Sequence, residues 1–250
     1  MLDTLLLIGV GVIGGIWNAI AGGATLFTFP ALMFVGLTPI VANATNFLGL
    51  LPSNAAALFA YKDELRHIGR RAFPLIVMSG AGAMVGSLLL VRSNPETFLF
   101  LVPFLILTAV LLFSLGEHVR RGIVRIAGTS KVNSVALGFL FLASIYGGYF
   151  GAGLGIILLA TAQVVGYSAF HQANAIKNLL ATSFTLISVA IFGAGGLIDW
   201  GAAAIMLVSS TFGGYFGGRF AKRVEQKYLR AAVTVFGLVL AATYFWQVFT

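Results

Sequence analysis

Seven stretches of this sequence contain no charged residue, and they constrain the fold more than any other feature. The stretches cover residues 4–61, 72–91, 97–116, 132–176, 178–198, 200–218 and 231–250. A helix needs about 20 apolar residues to cross the hydrocarbon core of a bilayer. Because 59% of the residues are hydrophobic and 9% are charged, the chain cannot present a polar surface to water on all sides. We therefore expect an all-α integral membrane protein with one multi-pass membrane domain over residues 1–250.

The positive charge is concentrated in three short segments between the apolar stretches. Residues 62–71, 120–131 and 219–230 hold thirteen of the fifteen lysines and arginines. Lysine and arginine accumulate in cytoplasmic loops of membrane proteins, so we predict that all three segments are cytoplasmic loops. The net charge of +8 then reflects membrane orientation, and we do not expect nucleic-acid binding.

Two related motifs indicate an internal repeat. VANATNF at residues 41–47 and QANAIKN at residues 172–178 share Ala-Asn-Ala at a shift of 131 residues. Glycines in the same order follow each motif, as Gly82 and Gly86 in the first copy and as Gly214 and Gly218 in the second. We therefore predict a first repeat over residues 1–116, a basic cytoplasmic connector over 117–133 and a second repeat over 134–250.

The positions of the basic segments predict that the two repeats are inverted relative to each other. If all three segments are cytoplasmic, residues 40–61 run towards the cytoplasm and residues 173–195 run away from it. Residues 5–35 and 134–165 must then each leave the membrane on the side where they entered it. Each of these segments has about 32 residues, or roughly 48 Å of straight helix, which is too long for one upright span.

A hairpin of two short helices satisfies this requirement. Both segments carry glycines near their middle, in GGIWNAIAGGAT at residues 14–25 and YGGYFGAGLG at residues 146–155, where a turn needs a permissive backbone. A single long tilted helix with glycines at a packing interface is the alternative. The predicted fold is thus two inverted repeats, each a glycine-broken helical hairpin followed by three transmembrane helices.

The acidic residues point to the charge of the substrate. All seven lie at segment boundaries or in predicted loops, at Asp3, Asp63, Glu64, Glu96, Glu117, Asp199 and Glu225. A cation pathway usually requires a carboxylate inside the membrane, because an ionisable group is retained there for function. The absence of such a carboxylate from the sequence favours an anionic or neutral substrate.

Lys177 is the charged residue that interrupts an apolar run. It follows Asn174 by three residues and precedes Asn178, so the three side chains can converge on one helix face. Asn43 and Asn46 have the same spacing in the first copy. Lys177 either contributes positive charge to an anion site or extends to the lipid headgroups, and the asparagines either bind substrate or join helices.

Enzyme chemistry is not expected. The chain has no cysteine, and its three histidines, His67, His118 and His171, have no metal-ligand spacing. We therefore predict no catalytic residue, no metal and no cofactor. His171 lies at a predicted turn, where we expect its side chain to be exposed to solvent.

The sequence also resembles a known family. The resemblance lies in PALMFVGLTP after a glycine-rich first segment, in ANATN and YKDEL, and in HQANAIKN and GGLIDW of the second copy. These motifs are similar to those of the TauE/SafE sulfite exporter family, and they cover nearly the whole chain. The resemblance implies a permease of the bacterial inner membrane that exports sulfite or a related organosulfur anion such as sulfoacetate. The charged run KDELRHIGRR replaces the small glycine-rich loop that is more usual in the family.

The family's recurrent positions fall on Gly22, Gly23, Pro30, Asn43, Thr45, Asn46, Gly153, Asn174, Lys177 and Asn178. With polar and glycine residues near the predicted hairpin ends, the candidate substrate-binding residues are Asn18, Gly22, Gly23, Thr25, Asn43, Thr45, Asn46, Gly151, Gly153, Asn174, Lys177 and Asn178. Backbone N–H groups and amide side chains there can replace part of the hydration of an oxyanion.

The expected function is therefore export of a small sulfur-containing anion by alternating access. An anion channel of the same architecture is one alternative. The other is a membrane scaffold without transport, in which the glycine faces at residues 82–86 and 214–218 mediate assembly. The expected partners are the anion and membrane lipid, with a homodimer as a candidate assembly.

Overall fold

The structure is a computed structural model that describes residues 2–20, 22–115, 134–167, 169–220 and 226–249, with residues 118, 121, 122 and 125 of the intervening segment. All regular secondary structure in these residues is helical, which confirms the predicted all-α class. Most of the predicted connector 117–133 lies outside the described residues. So do residues 221–225 and the side chains of the third basic segment.

The helices are numbered along the chain. Their bounds are α1 (Leu2–Ile20), α2 (Thr25–Phe34), α3 (Pro39–Ala60), α4 (Lys62–Ile68), α5 (Phe73–Val91), α6 (Pro95–Ser114), α7 (Ser134–Tyr149), α8 (Leu154–Val164), α9 (Phe170–Ala194), α10 (Trp200–Phe220) and α11 (Gln226–Phe249). Pro39 and Pro95 are the first residues of their helices, where the fixed φ of proline suits a helix and its missing N–H costs nothing.

The first basic segment is helical. We predicted a loop over residues 62–71, but the structure has α4 followed by a 3₁₀ turn, Gly69–Ala72. The sequence KDELRHI contains mainly good helix formers, and Leu65 and Ile68 belong to its packed face. Lys62, Asp63, Glu64 and Arg66 therefore lie on a short amphipathic helix between α3 and α5, and the two remaining arginines belong to the 3₁₀ turn.

Three of the described helices are long and apolar enough to span a membrane. These spans are Leu2–Ala19, Phe73–Val91 and His171–Ala194. Shorter apolar stretches occur in α2, α6, α7, α8 and α11. Large apolar side chains such as Leu186, Phe212 and Trp246 are exposed on the outer surface, as expected where helices face lipid instead of water.

Both predicted glycine-rich segments contain a helix break. In the first, Gly22 and Gly23 have φ values of +72° and +92° between α1 and α2, a region that favours glycine. The rings of Trp17 and Phe27 meet across this break with centroids 6.0 Å apart. The two helices therefore fold back on each other instead of continuing as one.

The second break separates α7 from α8. Gly151 and Gly153 have φ values of +81° and +74°. The hydroxyl of Tyr146 donates to the carbonyl of Ala152 at 2.8 Å, which joins the end of α7 to the turn. A Cβ atom on Gly147 would collide with Leu154, so the start of α8 also lies against α7.

Glycines bring two pairs of helices into backbone contact. On α10, a Cβ atom at Gly217 would lie 2.6 Å from the Cα of Ile16 in α1. On α5, a Cβ atom at Gly86 would lie 2.8 Å from the backbone nitrogen of Tyr149 in α7. Neither distance leaves room for a side chain, so close packing of α1 with α10 and of α5 with α7 requires glycine.

These contacts correct the glycine alignment made from the sequence. Cβ atoms on Gly82 and Gly86 would meet α7, and the glycines of α10 whose Cβ atoms would meet α1 are Gly213 and Gly217. Gly214 instead faces Ser53 of α3. The matching pairs are thus separated by 131 residues, the same shift that relates Asn43 to Asn174.

The glycine contact at Gly86 leads to a stability prediction. Replacing Gly86 with Ala should lower the free energy of unfolding by about 1–3 kcal/mol, because the methyl group meets rigid backbone atoms. Gly138 on α7 is the control, since its Cβ position has no atom within 4 Å. Gly138→Ala should leave stability unchanged or raise it. Thermal unfolding in detergent measures both variants, and equal stability of the two would contradict the packing described.

Candidate functional site

The two helix breaks meet inside the protein. A Cβ atom on Gly22 would lie 2.9 Å from the Cα of Gly155, so the backbones of the two turns are in contact. Beside this contact is a cavity of about 50 Å³. One water requires roughly 10–15 Å³ of such volume, so the cavity suits a solute of a few heavy atoms.

Five helices and both breaks line this cavity. The helices are α1, α2, α3, α8 and α9. The lining residues are Asn18, Gly22, Gly23, Thr25, Asn46, Phe47, Leu50, Asn54, Gly151, Leu154, Gly155, Leu158, Lys177, Ala181, Phe184 and Thr185. The lining therefore combines an apolar part with amide, hydroxyl and ammonium groups, and no described lining residue is acidic.

Lys177 is buried at this cavity. Its side chain is 2% exposed, and its Nζ atom lies 3.4 Å from the carbonyl oxygens of Asn18 and Ala19. These carbonyls belong to the last turn of α1, where a helix carries partial negative charge. The ammonium group is therefore held at the end of α1, and in this structure it does not extend to the lipid headgroups.

Two helix N-termini also face the cavity. Thr25 begins α2 and Leu154 begins α8, and both residues line it. Several of their first N–H groups donate to carbonyls of the preceding turns, as Leu26 does to Gly23 and Leu154 to Gly151, and the partial positive charge of a helix N-terminus favours anions. The site therefore combines one ammonium group with two positive helix ends.

A hydrogen-bond network connects α2 to α3. The Asn46 Nδ2 atom donates to the Thr25 hydroxyl at 3.1 Å, and the Thr28 hydroxyl donates to Asn46 Oδ1 at 2.6 Å. All three residues are buried. Asn46 therefore fixes the first turn of α2 against α3, and both the oxygen and the nitrogen of its amide have a hydrogen-bond partner.

A second network holds the end of α1. The Nδ2 atom of Asn18 donates to the hydroxyl of Ser53 at 2.8 Å and to Oδ1 of Asn54 at 3.1 Å. The Asn18 carbonyl accepts from Lys177. Asn18 thus links α1, α3 and α9 at the edge of the cavity.

The structure brings seven of the twelve predicted site residues to the cavity. They are Asn18, Gly22, Gly23, Thr25, Asn46, Gly151 and Lys177. Phe47, Asn54, Ala181, Phe184 and Thr185 also line it but were not among the predicted residues. Helical spacing identifies most of them, since Asn54 follows Asn46 by two turns and Ala181 and Thr185 follow Lys177 by one and two turns.

The other five predicted residues do not line the cavity. Asn43 donates to the carbonyl of Tyr149 at 2.9 Å, and the Thr45 hydroxyl accepts from the backbone nitrogen of Asp199 at 2.9 Å. Asn174 donates to the hydroxyl of Tyr61 at 2.7 Å. The other two are Gly153, which precedes α8 with φ +74°, and Asn178, which is fully buried on α9.

An apolar helical protein with two broken helices around a polar interior site has the general plan of a secondary transporter. Comparison with known proteins identifies the family. The family described as sulfite exporter TauE/SafE matches residues 7–244, and the chain therefore belongs to the TauE/SafE family. This confirms the resemblance seen in the sequence. The family consists of membrane transporters and not of enzymes.

Several bacterial relatives are similar over most of their length. A probable membrane transporter protein of Haemophilus influenzae is 29% identical over 238 residues, which cover 93% of this chain and 91% of the relative. The probable membrane transporter protein YfcA of Escherichia coli is 27% identical over 239 residues, covering 93% and 86%. A third, from a Sinorhizobium species, is 25% identical over 236 residues, covering 92% and 87%. No solved structure matches the chain.

The network around Asn46 leads to a second stability prediction. Thr28→Val removes the donor to Asn46 Oδ1 and leaves that oxygen buried without it, which should cost about 1–3 kcal/mol. Thr108→Val on α6 is the matched control, because Thr108 is exposed and its hydroxyl contacts the carbonyl of Phe104 one turn earlier. Thermal unfolding should show a clear decrease for the first variant and little change for the second. Equal decreases would contradict a role for this network.

Proposed function

We propose that this protein exports sulfite or a related small organosulfur anion, such as a sulfonate, from the cytoplasm by alternating access across the bacterial inner membrane. The observation that carries the proposal is Lys177, a buried lysine at a small cavity between two helix breaks. The family description supplies the sulfur-containing substrate, and the relatives compared above are bacterial.

The electrostatics of the cavity support an anionic ligand. Lys177 contributes a positive charge, and the first turns of α2 and α8 add partial positive charge. The carbonyls of Asn18 and Ala19 offset part of this charge, and no described lining residue is acidic. Burying a charge without a partner is costly, so binding of a monovalent anion completes the charge balance of the site.

The size and lining of the cavity support a small organosulfur anion. Sulfite has four heavy atoms, which suits the volume of about 50 Å³. Its oxygens can accept hydrogen bonds from Lys177, and the partial positive charge at the N-termini of α2 and α8 favours an anion. Leu154, Leu158 and Phe184 provide an apolar surface for the carbon group of a small sulfonate.

We also propose that the two halves are inverted repeats. The packing of α1 on α10 and of α7 on α5 supports this arrangement. If the apolar helices of each half are counted in order, each contact joins the first helix of one half to the fourth helix of the other half. The contacts of α3 with α10 and of α9 with α5 likewise join the third helix of one half to the fourth helix of the other half. Inverted hairpins that meet at one site provide a route for alternating access, because each hairpin separates the site from one side of the membrane.

The glycine faces do not support the scaffold alternative. Gly82 and Gly86 pack against α7, and Gly214 of the second predicted face packs against Ser53 of α3. These surfaces are occupied within the chain. They are therefore not available for assembly with a partner.

Sulfite flux in proteoliposomes tests the proposed function. Lys177→Met keeps the length of the side chain and removes its charge, and it should reduce flux by about 10- to 150-fold, the equivalent of one charged hydrogen bond. Lys177→Arg should retain part of the flux. Lys62→Met is the control, because Lys62 lies exposed on α4, and its flux should equal that of the unmodified protein.

Two results would contradict the proposal. If folded Lys177→Met protein, verified by thermal unfolding, transported sulfite as well as Lys62→Met, Lys177 would not belong to the substrate site. If flux rose linearly with sulfite concentration and showed no counterflow, the protein would be a channel and not an alternating-access transporter.

A further inference from the structure

A chain of hydrogen bonds fixes the orientation of the Asn54 amide at the cavity. The Ser53 hydroxyl has one hydrogen, and it donates that hydrogen to the carbonyl of Leu50 at 2.6 Å. The atom of Asn18 that lies 2.8 Å from Ser53 Oγ is therefore a donor, Nδ2. The same Nδ2 donates to Asn54 at 3.1 Å, so the atom that accepts there is Oδ1. The Nδ2 end of the Asn54 amide is therefore left free by Asn18.

The Nδ2 group of Asn54 is an unused donor. Its two hydrogens have no acceptor among the described residues. The Asn54 side chain is 7% exposed and lines the same cavity as Lys177, and its Nδ2 atom is not enclosed by protein. Buried donors are nearly always paired, because an unpaired one loses its hydration without compensation. Asn54 therefore presents a donor to whatever occupies the cavity.

The hydroxyl of Thr185 on α9 is a second unused donor. Thr182 and Ser183 on the same helix donate to the backbone carbonyl one turn earlier, which is a common partner for a hydroxyl in a helix. Within the described part of the chain, Thr185 makes neither this bond nor any other. Its side chain is 4% exposed and also lines the cavity. Its hydroxyl is therefore free to donate into the cavity.

The helices that carry these donors, α3 and α9, run antiparallel to each other. Tyr61, just after the end of α3, bonds to Asn174 near the start of α9. Phe47, near the start of α3, has its ring 6.1 Å from that of Phe184 and 5.2 Å from that of Phe192. These contacts at the two ends define which residues of the helices lie at the same depth.

Asn54 lies midway between these two contacts on α3, and the corresponding midpoint on α9 is Ala181. Lys177 and Thr185 lie one turn before and one turn after Ala181, a rise of about 6 Å each. All four residues line the cavity. The small side chain of Ala181 leaves room at this level, with Lys177 on one side, Thr185 on the other and the Asn54 amide opposite.

We propose that the transported anion lies beside Ala181, where Asn54 Nδ2 and Thr185 Oγ1 donate hydrogen bonds to the oxygens that Lys177 does not pair. The identity of the ligand as an anion rests on the proposed function, and the two donors rest on the hydrogen bonds and burial given above. A sulfite or sulfonate group carries three oxygens on one sulfur, so it can accept from donors on several sides. Asn54 and Thr185 are thus binding residues of the site at Lys177.

Neutral donors also define the charge of the ligand. The amide and the hydroxyl pair oxygens without adding charge, so the positive charge of the site remains that of Lys177 and matches a monovalent oxyanion. Asn18 Oδ1, at the edge of the cavity, is an acceptor without a described partner. The ammonium group, the amide and the hydroxyl outnumber it, so donors predominate in the polar part of the lining.

Anion binding to purified full-length protein tests this inference, measured by isothermal titration calorimetry with sulfite and with methanesulfonate. Thr185→Val keeps the shape of the side chain and removes the hydroxyl. It should weaken binding of both anions by about 2- to 10-fold, the equivalent of one neutral hydrogen bond. Thr182→Val is the matched control, because the Thr182 hydroxyl bonds within α9 and does not line the cavity. Its affinity should equal that of the unmodified protein.

Thermal unfolding of the ligand-free protein separates binding from folding. Thr185→Val removes a buried hydroxyl that has no described partner, so the unfolding temperature should stay the same or rise. A lower unfolding temperature would overturn the assignment, because the hydroxyl would then stabilise the fold. Anion affinity equal to that of Thr182→Val would overturn it as well.

Asn54→Asp tests the amide donor. The carboxylate keeps an oxygen for Asn18 and replaces the Nδ2 donor with a negatively charged oxygen. Binding of both anions should therefore weaken by more than in Thr185→Val, because the new oxygen repels the anion that Nδ2 would pair. Unchanged affinity in Asn54→Asp would remove Asn54 from the site.

The two anions separate this inference from the proposed function. If methanesulfonate bound with the expected losses and sulfite did not bind, sulfite would be rejected as the substrate and the two donors would stand. If sulfite flux depended on Lys177 while both variants bound anions as tightly as the unmodified protein, the proposed function would stand and the donors would be rejected. If neither anion bound the unmodified protein, both would be rejected.

Discussion

The contact between Gly22 and Gly155 is the constraint on which the proposed site depends. It joins the two helix breaks at backbone distance, and a side chain at Gly22 would separate them. Irregular backbone inside a membrane is stable only where protein or a polar cavity covers it. The contact provides this cover, and it brings the first turns of α2 and α8 to the same cavity. The glycine contacts of α1 with α10 and of α5 with α7 hold the two broken segments in this position.

Lys177 connects this architecture to chemistry. Its two contacts to the end of α1 are 3.4 Å long, which is beyond the usual range for N–H···O hydrogen bonds. An anionic oxygen is a stronger acceptor than a peptide carbonyl, so a bound oxyanion can compete for the ammonium group. The carbonyls of α1 thus hold the lysine in place, and its ammonium group can still donate to a further acceptor. Asn46, which lies 131 residues before Lys177, has both its amide oxygen and its amide nitrogen bonded, to Thr28 and Thr25.

Much of the fold follows from local sequence signals. The charge-free stretch 72–91 corresponds closely to α5, Phe73–Val91, because charges bound the stretch on both sides. Both helix breaks occur within the predicted glycine-rich segments, at residues whose φ values favour glycine. The prediction failed at residues 62–71, where charge density suggested a loop although the residues are good helix formers.

The candidate site was harder to predict than the fold, because its contacts depend on tertiary packing. Lys177 and Asn46 could be selected because each is a polar residue in an apolar helix. Asn174 lies on the same helix face as Lys177, but its amide is bonded to Tyr61 at the end of α3. A pairing across 113 residues has no local sequence signal. The exact pairing of glycines likewise required knowledge of which helices touch.

The central claim is that an oxyanion binds at Lys177 between the two helix breaks. Selenite is an oxyanion of the same shape and charge as sulfite, and selenium scatters X-rays anomalously. Crystals of the full-length protein soaked in selenite should show one anomalous peak within hydrogen-bonding distance of Lys177 Nζ, beside the first turns of α2 and α8. A peak elsewhere, or no peak at Lys177 in protein that transports selenite, would contradict this account.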